Sequence, residues 1–188
     1  MSKKVLIMTG DAAEALEVYY PYYRVLEEGY DAVIASPTKK VLHTVVHDFV
    51  DGWETYTEKP GHQLQSDVSF SDVNPAEFDG LIIPVGRAPE YIRTNEHVPR
   101  ITQHFLDQDK PVGAICHGVF LFSALKDTSY FKGRTMTAYS ACRLDVEQLG
   151  AHYGEDTVHV DGKLVSGHAW PDLPRFMRAF LELLKSEA

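Results

Sequence analysis

The chain has 188 residues, 44% of them apolar, and a formal net charge of −9. That length fits one domain, spanning 1–188, and the acidic balance leaves no basic face to grip a phosphate backbone, which argues against a nucleic-acid partner. After the basic start, the apolar run is only Val5-Leu-Ile-Met8, whereas a signal peptide needs about 7–15 apolar residues and a membrane span about 20. The reading is a soluble, cytoplasmic chain with no membrane partner, and its two cysteines read as free thiols in a reducing compartment.

Strand and helix patterns then alternate. Residues 4–9 read as a strand, and 12–28 as an amphipathic helix with Ala15, Leu16, Tyr19, Val25 and Leu26 turned to a sheet. Gly29 closes it and 30–36 form the next strand. Between 39 and 71 the helical period vanishes, and this His-, Tyr- and Trp-containing stretch reads as an insertion of short strands and loops. A short helical turn at 76–78 precedes a fully apolar strand over 80–84, a second amphipathic helix over 91–107, and a strand that runs into Cys116. An apolar helix follows through 120–125, then a strand over 134–139 and a short helix over 144–149. Asp161-Gly162 marks a hairpin joining 157–160 to 164–166, and 174–185 close the chain as a helix. Such alternation predicts an α/β fold: a flavodoxin-like, doubly wound, mostly parallel sheet sandwiched by helices, with a short β/loop insertion.

Chemistry concentrates at Ala114-Ile-Cys-His-Gly118. A cysteine where a strand turns into a helix meets unpaired N–H groups and the positive end of the dipole. Such sites can lower a thiol pKa from about 8.5 to roughly 3.5–7.5. The turn also aims the sulfur into the crevice where open α/β sheets bind ligands. Cys142 reads as a small apolar filler. Glu14, in the first turn of the first helix, is either a charge that caps the dipole or a carboxylate pointing across the crevice to Cys116. Gly86 and His117 are placed to offer main-chain N–H groups to a reacting oxygen. His43 and His47 lie four apart in a β-branched segment with no completing ligand, so no metal is expected. His168 and Trp170, after the last strand, border the crevice as candidate pocket residues. No phosphate-binding glycine loop is present, so no nucleotide cofactor is expected.

The elbow, Gly10-Asp-Ala-Ala-Glu14 and Gly86-Arg-Ala-Pro-Glu90 together resemble the ThiJ/PfpI superfamily, which is class I glutamine amidotransferase-like. Val46-His-Asp-Phe49, Thr55-Tyr-Thr-Glu-Lys-Pro-Gly-His62 and Gly167-His-Ala-Trp-Pro171 are similar to the plant glyoxalase-type members more than to the archaeal PfpI proteases. The resemblance implies Cys116 as nucleophile, Glu14 as the acid sharing a proton with its sulfur, and His117 as base. In protease-type members the partner subunit's Glu90 orients the His117 ring, which implies a homo-oligomer. The implied activity is a cofactor-free, glyoxalase III or deglycase-like conversion of small reactive carbonyls such as methylglyoxal. The alternatives are a cysteine peptidase or amidase using Cys116, His117 and Glu90, and a non-enzymatic redox sensor or stress holdase. One departure stands out: Val85 replaces the first of two family glycines, adding a β-branched residue at the pocket wall.

Overall fold

The computed structural model describes residues 2–186. Its strands are β1 (Lys4–Met8), β2 (Asp31–Ser36), β3 (Val41–Phe49), β4 (Tyr56–Gln65), β5 (Val68–Ser69), β6 (Gly80–Ile83), β7 (Val112–Ile115), β8 (Thr135–Met136), β9 (His152–Tyr153), β10 (Val158–Asp161) and β11 (Leu164–Gly167). Its helices are α1 (Ala15–Glu27), α2 (Ala88–Ile92), α3 (His97–Asp107), α4 (Val119–Phe122), α5 (Arg143–Gln148) and α6 (Leu173–Ser186). The main sheet runs β10-β11-β7-β6-β1-β2-β5, parallel throughout except for the β10–β11 hairpin. The fold is therefore α/β and doubly wound, as the alternation predicts. Strands β6 and β7 are buried at every residue, which is why they read as unbroken apolar runs rather than alternating ones. Among the described residues no helix is long and apolar enough to cross a membrane.

The topology places the site. From β1 the chain steps outward to β2 and β5, then returns to the other side of β1 as β6 and continues to β7. The carboxyl ends of β1, β6 and β7 thus meet where the direction of winding reverses, and there an open α/β sheet leaves its crevice.

Several elements differ from expectation. The helix expected over 91–107 is two helices; Pro89 starts α2 early, and the Asn95 side chain accepts from His97 N (3.0 Å) to begin α3 afresh. Only Thr135–Met136 of the expected 134–139 strand pairs, and with β9 in a small separate sheet. The apolar run after Cys116 is helical only to Phe122. Of the 39–71 insertion, β5 joins the main sheet beside β2, and the rest is the antiparallel β3–β4 hairpin. On α1 the buried stripe is Ala15, Glu17, Val18, Pro21 and Val25, while Leu16 and Leu26 are exposed.

The β3–β4 hairpin folds back over the crevice. Ala12 N donates to His43 O (2.7 Å), Val45 N to Ala13 O (2.8 Å), and the Tyr19 hydroxyl to Gln63 O. A register shift between His43 and Val45 breaks the strand's parity. His43 is consequently exposed and His47 buried, so the two do not share a face.

Candidate active site

Cys116 sits at φ +57°, a left-handed conformation unusual for a residue with a side chain. The elbow that holds it demands small neighbours: a Cβ on Gly118 would lie 3.1 Å from Ala114 Cβ and 3.3 Å from Ile83 O. Tyr139 N bonds Cys116 O (3.2 Å) and closes the turn from above. The thiol is only 5% exposed. Its Sγ lies 3.1 Å from Nδ1 of His117.

The expected lowering of the thiol pKa is not what this environment gives. The elbow is a single tight turn leading into the short α4, and burial dominates. It pushes the Cys116 pKa well up, and the carboxylate of Glu17 pushes in the same direction. Burial drives His117 the other way, to about 4, so its imidazole is neutral at physiological pH. A neutral ring next to a protonated thiol is a proton acceptor in contact with its donor.

Two buried carboxyls, Glu14 and Glu17, bear on the thiol. Glu14 is the N-cap of α1, its Oε2 accepting from Glu17 N (2.9 Å), which is the capping role that its position also allowed. Of the two carboxyls, Glu17 has the larger effect on the thiol, and Glu14 ranks after it. Burial first, then Glu14, raises the Glu17 pKa well above the carboxyl range, while burial raises Glu14. Main-chain N–H groups of Val85, Trp170 and Gly86 bear on the Glu17 carboxyl. Glu14 Oε1 and Glu17 Oε2 are buried with no hydrogen-bond partner. Three acidic protons therefore compete for one poorly solvated pocket and titrate as a set. Glu17 was missed because the more apolar Leu16 and Leu26 pointed to a different buried stripe.

Gly86 faces this cluster at φ +82°. Glu14 N donates to Val85 O (2.7 Å) and Arg87 N to Ala12 O (2.9 Å), so Ala13 and Gly86 form a pair in which the N–H of Gly86 points away from Ala13. Val85 is fully buried and its φ is not positive, so the β-branched replacement packs into the core without backbone strain.

A wall of aromatic rings closes the cleft. Tyr56 lies edge-on to His117 (centroids 6.0 Å) and to Tyr139 (5.7 Å), and stacks on His47 (4.1 Å). Phe120 and Tyr139 complete the surround of His117 at 5.4 Å each. Behind His47, Glu58 Oε2 meets Nε2 at 2.9 Å, and Arg87 binds Glu58 in two-pronged fashion at 2.7 Å and 2.7 Å. Arg87 foremost, then His47, holds the Glu58 pKa down at about 2.

The remaining candidates fall around the rim. Glu90 is exposed on α2, where its charge bears on Tyr56, Arg87 and Cys142 of its own chain. Trp170 donates its indole N–H to His47 O (3.0 Å) and stacks on Phe49, pinning the hairpin from outside. His168 bonds the Tyr153 hydroxyl (3.0 Å), a partner of Ala138 O, and belongs to the β8–β9 side rather than to the thiol. Cys142 is buried and its pKa is pushed up to about 12, chiefly by burial, in keeping with a filler. Among the described residues no three His, Cys, Asp or Glu side chains gather to hold a metal ion.

A cysteine at a strained strand–helix elbow, flanked by a neutral histidine and a buried carboxyl at the switch point of a doubly wound sheet, defines a class of α/β proteins. The chain belongs to the DJ-1/PfpI family, whose sequence model matches residues 3–183. It is 39% identical to protein DJ-1 homolog D of Arabidopsis thaliana over 97% of its own length, and spans about half (48%) of that relative. It is 37% identical to deglycase PfpI of Pyrococcus furiosus, covering 97% of this chain and 99% of that one. Among solved structures, a two-domain protein of Anabaena variabilis with DJ-1/ThiJ/PfpI-like and ferritin-like domains superposes at a TM-score of 0.82 and 26% identity, over 98% of this chain and 48% of the other.

Proposed function

We propose that the protein is a cofactor-free enzyme acting on small reactive carbonyls, of the glyoxalase III or deglycase type. The observation that carries this is a nearly enclosed cysteine, 5% exposed, whose Sγ lies 3.1 Å from His117 Nδ1, with the buried carboxyl of Glu17 acting on it. Such a cleft suits a two- or three-carbon aldehyde better than an extended peptide. The archaeal relative's designation as a deglycase points the same way.

In this scheme Cys116 Sγ adds to the aldehyde carbon of methylglyoxal as His117 Nδ1 takes the thiol proton. That proton passes to the carbonyl oxygen, giving a hemithioacetal. Glu17, having released its proton to the neighbouring ketone oxygen, removes the hydrogen on the sulfur-bearing carbon and leaves an enediol. Glu17 returns its proton to the second carbon and takes up the hydroxyl proton of the sulfur-bearing carbon, which gives a lactoyl thioester: one carbon is oxidised, its neighbour is reduced, and no external oxidant is needed. Water releases lactate and restores the thiol. Main-chain N–H groups of Gly86 and His117 serve the developing oxyanion.

The test is lactate formation from methylglyoxal without glutathione, run beside a panel of fluorogenic peptides. Lactate with silent peptides is the expected result. Peptide cleavage without lactate would instead identify a peptidase, in which the partner subunit's Glu90 would orient His117.

A further inference from the structure

We propose that Tyr56 is a catalytic residue of this site, its phenol hydroxyl donating a hydrogen bond to the substrate oxygen on the carbon next to the one that the thiol attacks. The inference rests on the carbonyl reading above and supplies a part that it lacks. A 2-oxoaldehyde carries two oxygens, and charge develops on both along the path to the enediol. The main-chain donors at Gly86 and His117 account for one of them.

Four observations place Tyr56 at the other. Its ring meets His117 edge-on at 6.0 Å, one residue from the nucleophile. After burial, the neighbouring Cys116 weighs most on its hydroxyl, ahead of Glu90. Burial above all pushes its pKa up, so the phenol keeps its proton. Among the described residues no hydrogen bond engages the Tyr56 hydroxyl, although the residue is half-buried.

The ring is also held with unusual thoroughness. Arg87 grips Glu58 with two bonds, Glu58 holds His47 Nε2 at 2.9 Å, and the His47 ring supports the Tyr56 face at 4.1 Å. The Trp170 indole fixes the main chain of His47 on the far side (3.0 Å). A ring needed only to fill space would not require a platform locked by an ion pair; a hydroxyl that must meet one oxygen does. Glu58 and His47 act here as positioning residues.

The experiment compares wild type and Tyr56→Phe, which keeps the ring on His47 and removes only the hydroxyl. Lactate production from methylglyoxal and the rate of iodoacetamide labelling at Cys116 are measured on both. Loss of an oxyanion donor costs about 10²–10³ in kcat, and that loss is expected with KM and Cys116 labelling unchanged. A variant with wild-type kcat overturns the proposal and leaves the carbonyl reading standing. A variant that loses turnover and labelling together has a disturbed site, which makes the hydroxyl structural and also overturns it. If wild type itself makes no lactate, the carbonyl reading fails and takes this proposal with it.

Discussion

Glu17→Gln is expected to cut turnover of methylglyoxal by roughly 10²–10⁴-fold, the usual cost of losing a proton-transfer group, while far-UV circular dichroism stays native. The amide fits the same buried space but can neither hold nor return the proton. Glu14→Gln retains an oxygen to accept from Glu17 N and should keep most of the activity. A second consequence separates Glu17 from an ordinary core residue. Its folded pKa lies well above the ordinary carboxyl value of 4.5, so the folded chain binds that proton more tightly than the unfolded chain. This contribution to stability is complete below about 4.5 and is lost as pH rises towards the folded value. Thermal unfolding across that window should therefore shift in favour of Glu17→Gln as pH rises. A constant difference between the two proteins would show that Glu17 does not titrate on folding.

Gly86→Ala is expected to damage both stability and chemistry. At φ +82° the new Cβ would sit 2.4 Å from Glu14 N and 2.6 Å from Ala12 O, both main-chain atoms that cannot swing aside. Left-handed strain of about 1–2 kcal/mol and overpacking of about 1–3 kcal/mol add to roughly 2–5 kcal/mol. For a chain of this size that corresponds to a fall in Tm on the order of 5–15 °C. Because the shift moves an oxyanion donor, kcat should fall by about 10²–10³ even where the variant is fully folded. Wild-type kcat in Gly86→Ala would remove Gly86 from the oxyanion role.

Much of this arrangement was legible in the residues themselves. The apolar runs over 80–83 and 112–115 can only be strands buried on both faces, and β6 and β7 are buried throughout. The elbow was legible because Ala114 and Gly118 leave room for nothing larger around Cys116. The capping carboxyl was legible at Glu14, but its partner was not. Ala15 and Val25 were read correctly as facing the sheet, but Leu16 and Leu26 completed a plausible apolar stripe with them, and only tertiary packing turns Val18 inward instead and carries Glu17 with it. The direction of the thiol's pKa shift was not legible for a related reason. A helix N-terminus promises a thiolate, but four residues of α4 under an aromatic roof provide burial instead. The chain Arg87, Glu58, His47 and Tyr56 was not legible at all. The bulge before Val45 decides which histidine faces inward, and nothing in a β-branched run announces a bulge.

The most direct test of the central claim, that Cys116 carries substrate covalently, is acid-quenched mass spectrometry of the protein turning over methylglyoxal. An adduct of one methylglyoxal on the peptide containing Cys116 is predicted within the first turnovers, with Cys142 unmodified and the adduct absent from Cys116→Ser. Lactate formed at full rate by Cys116→Ser, or an adduct confined to Cys142, would contradict it.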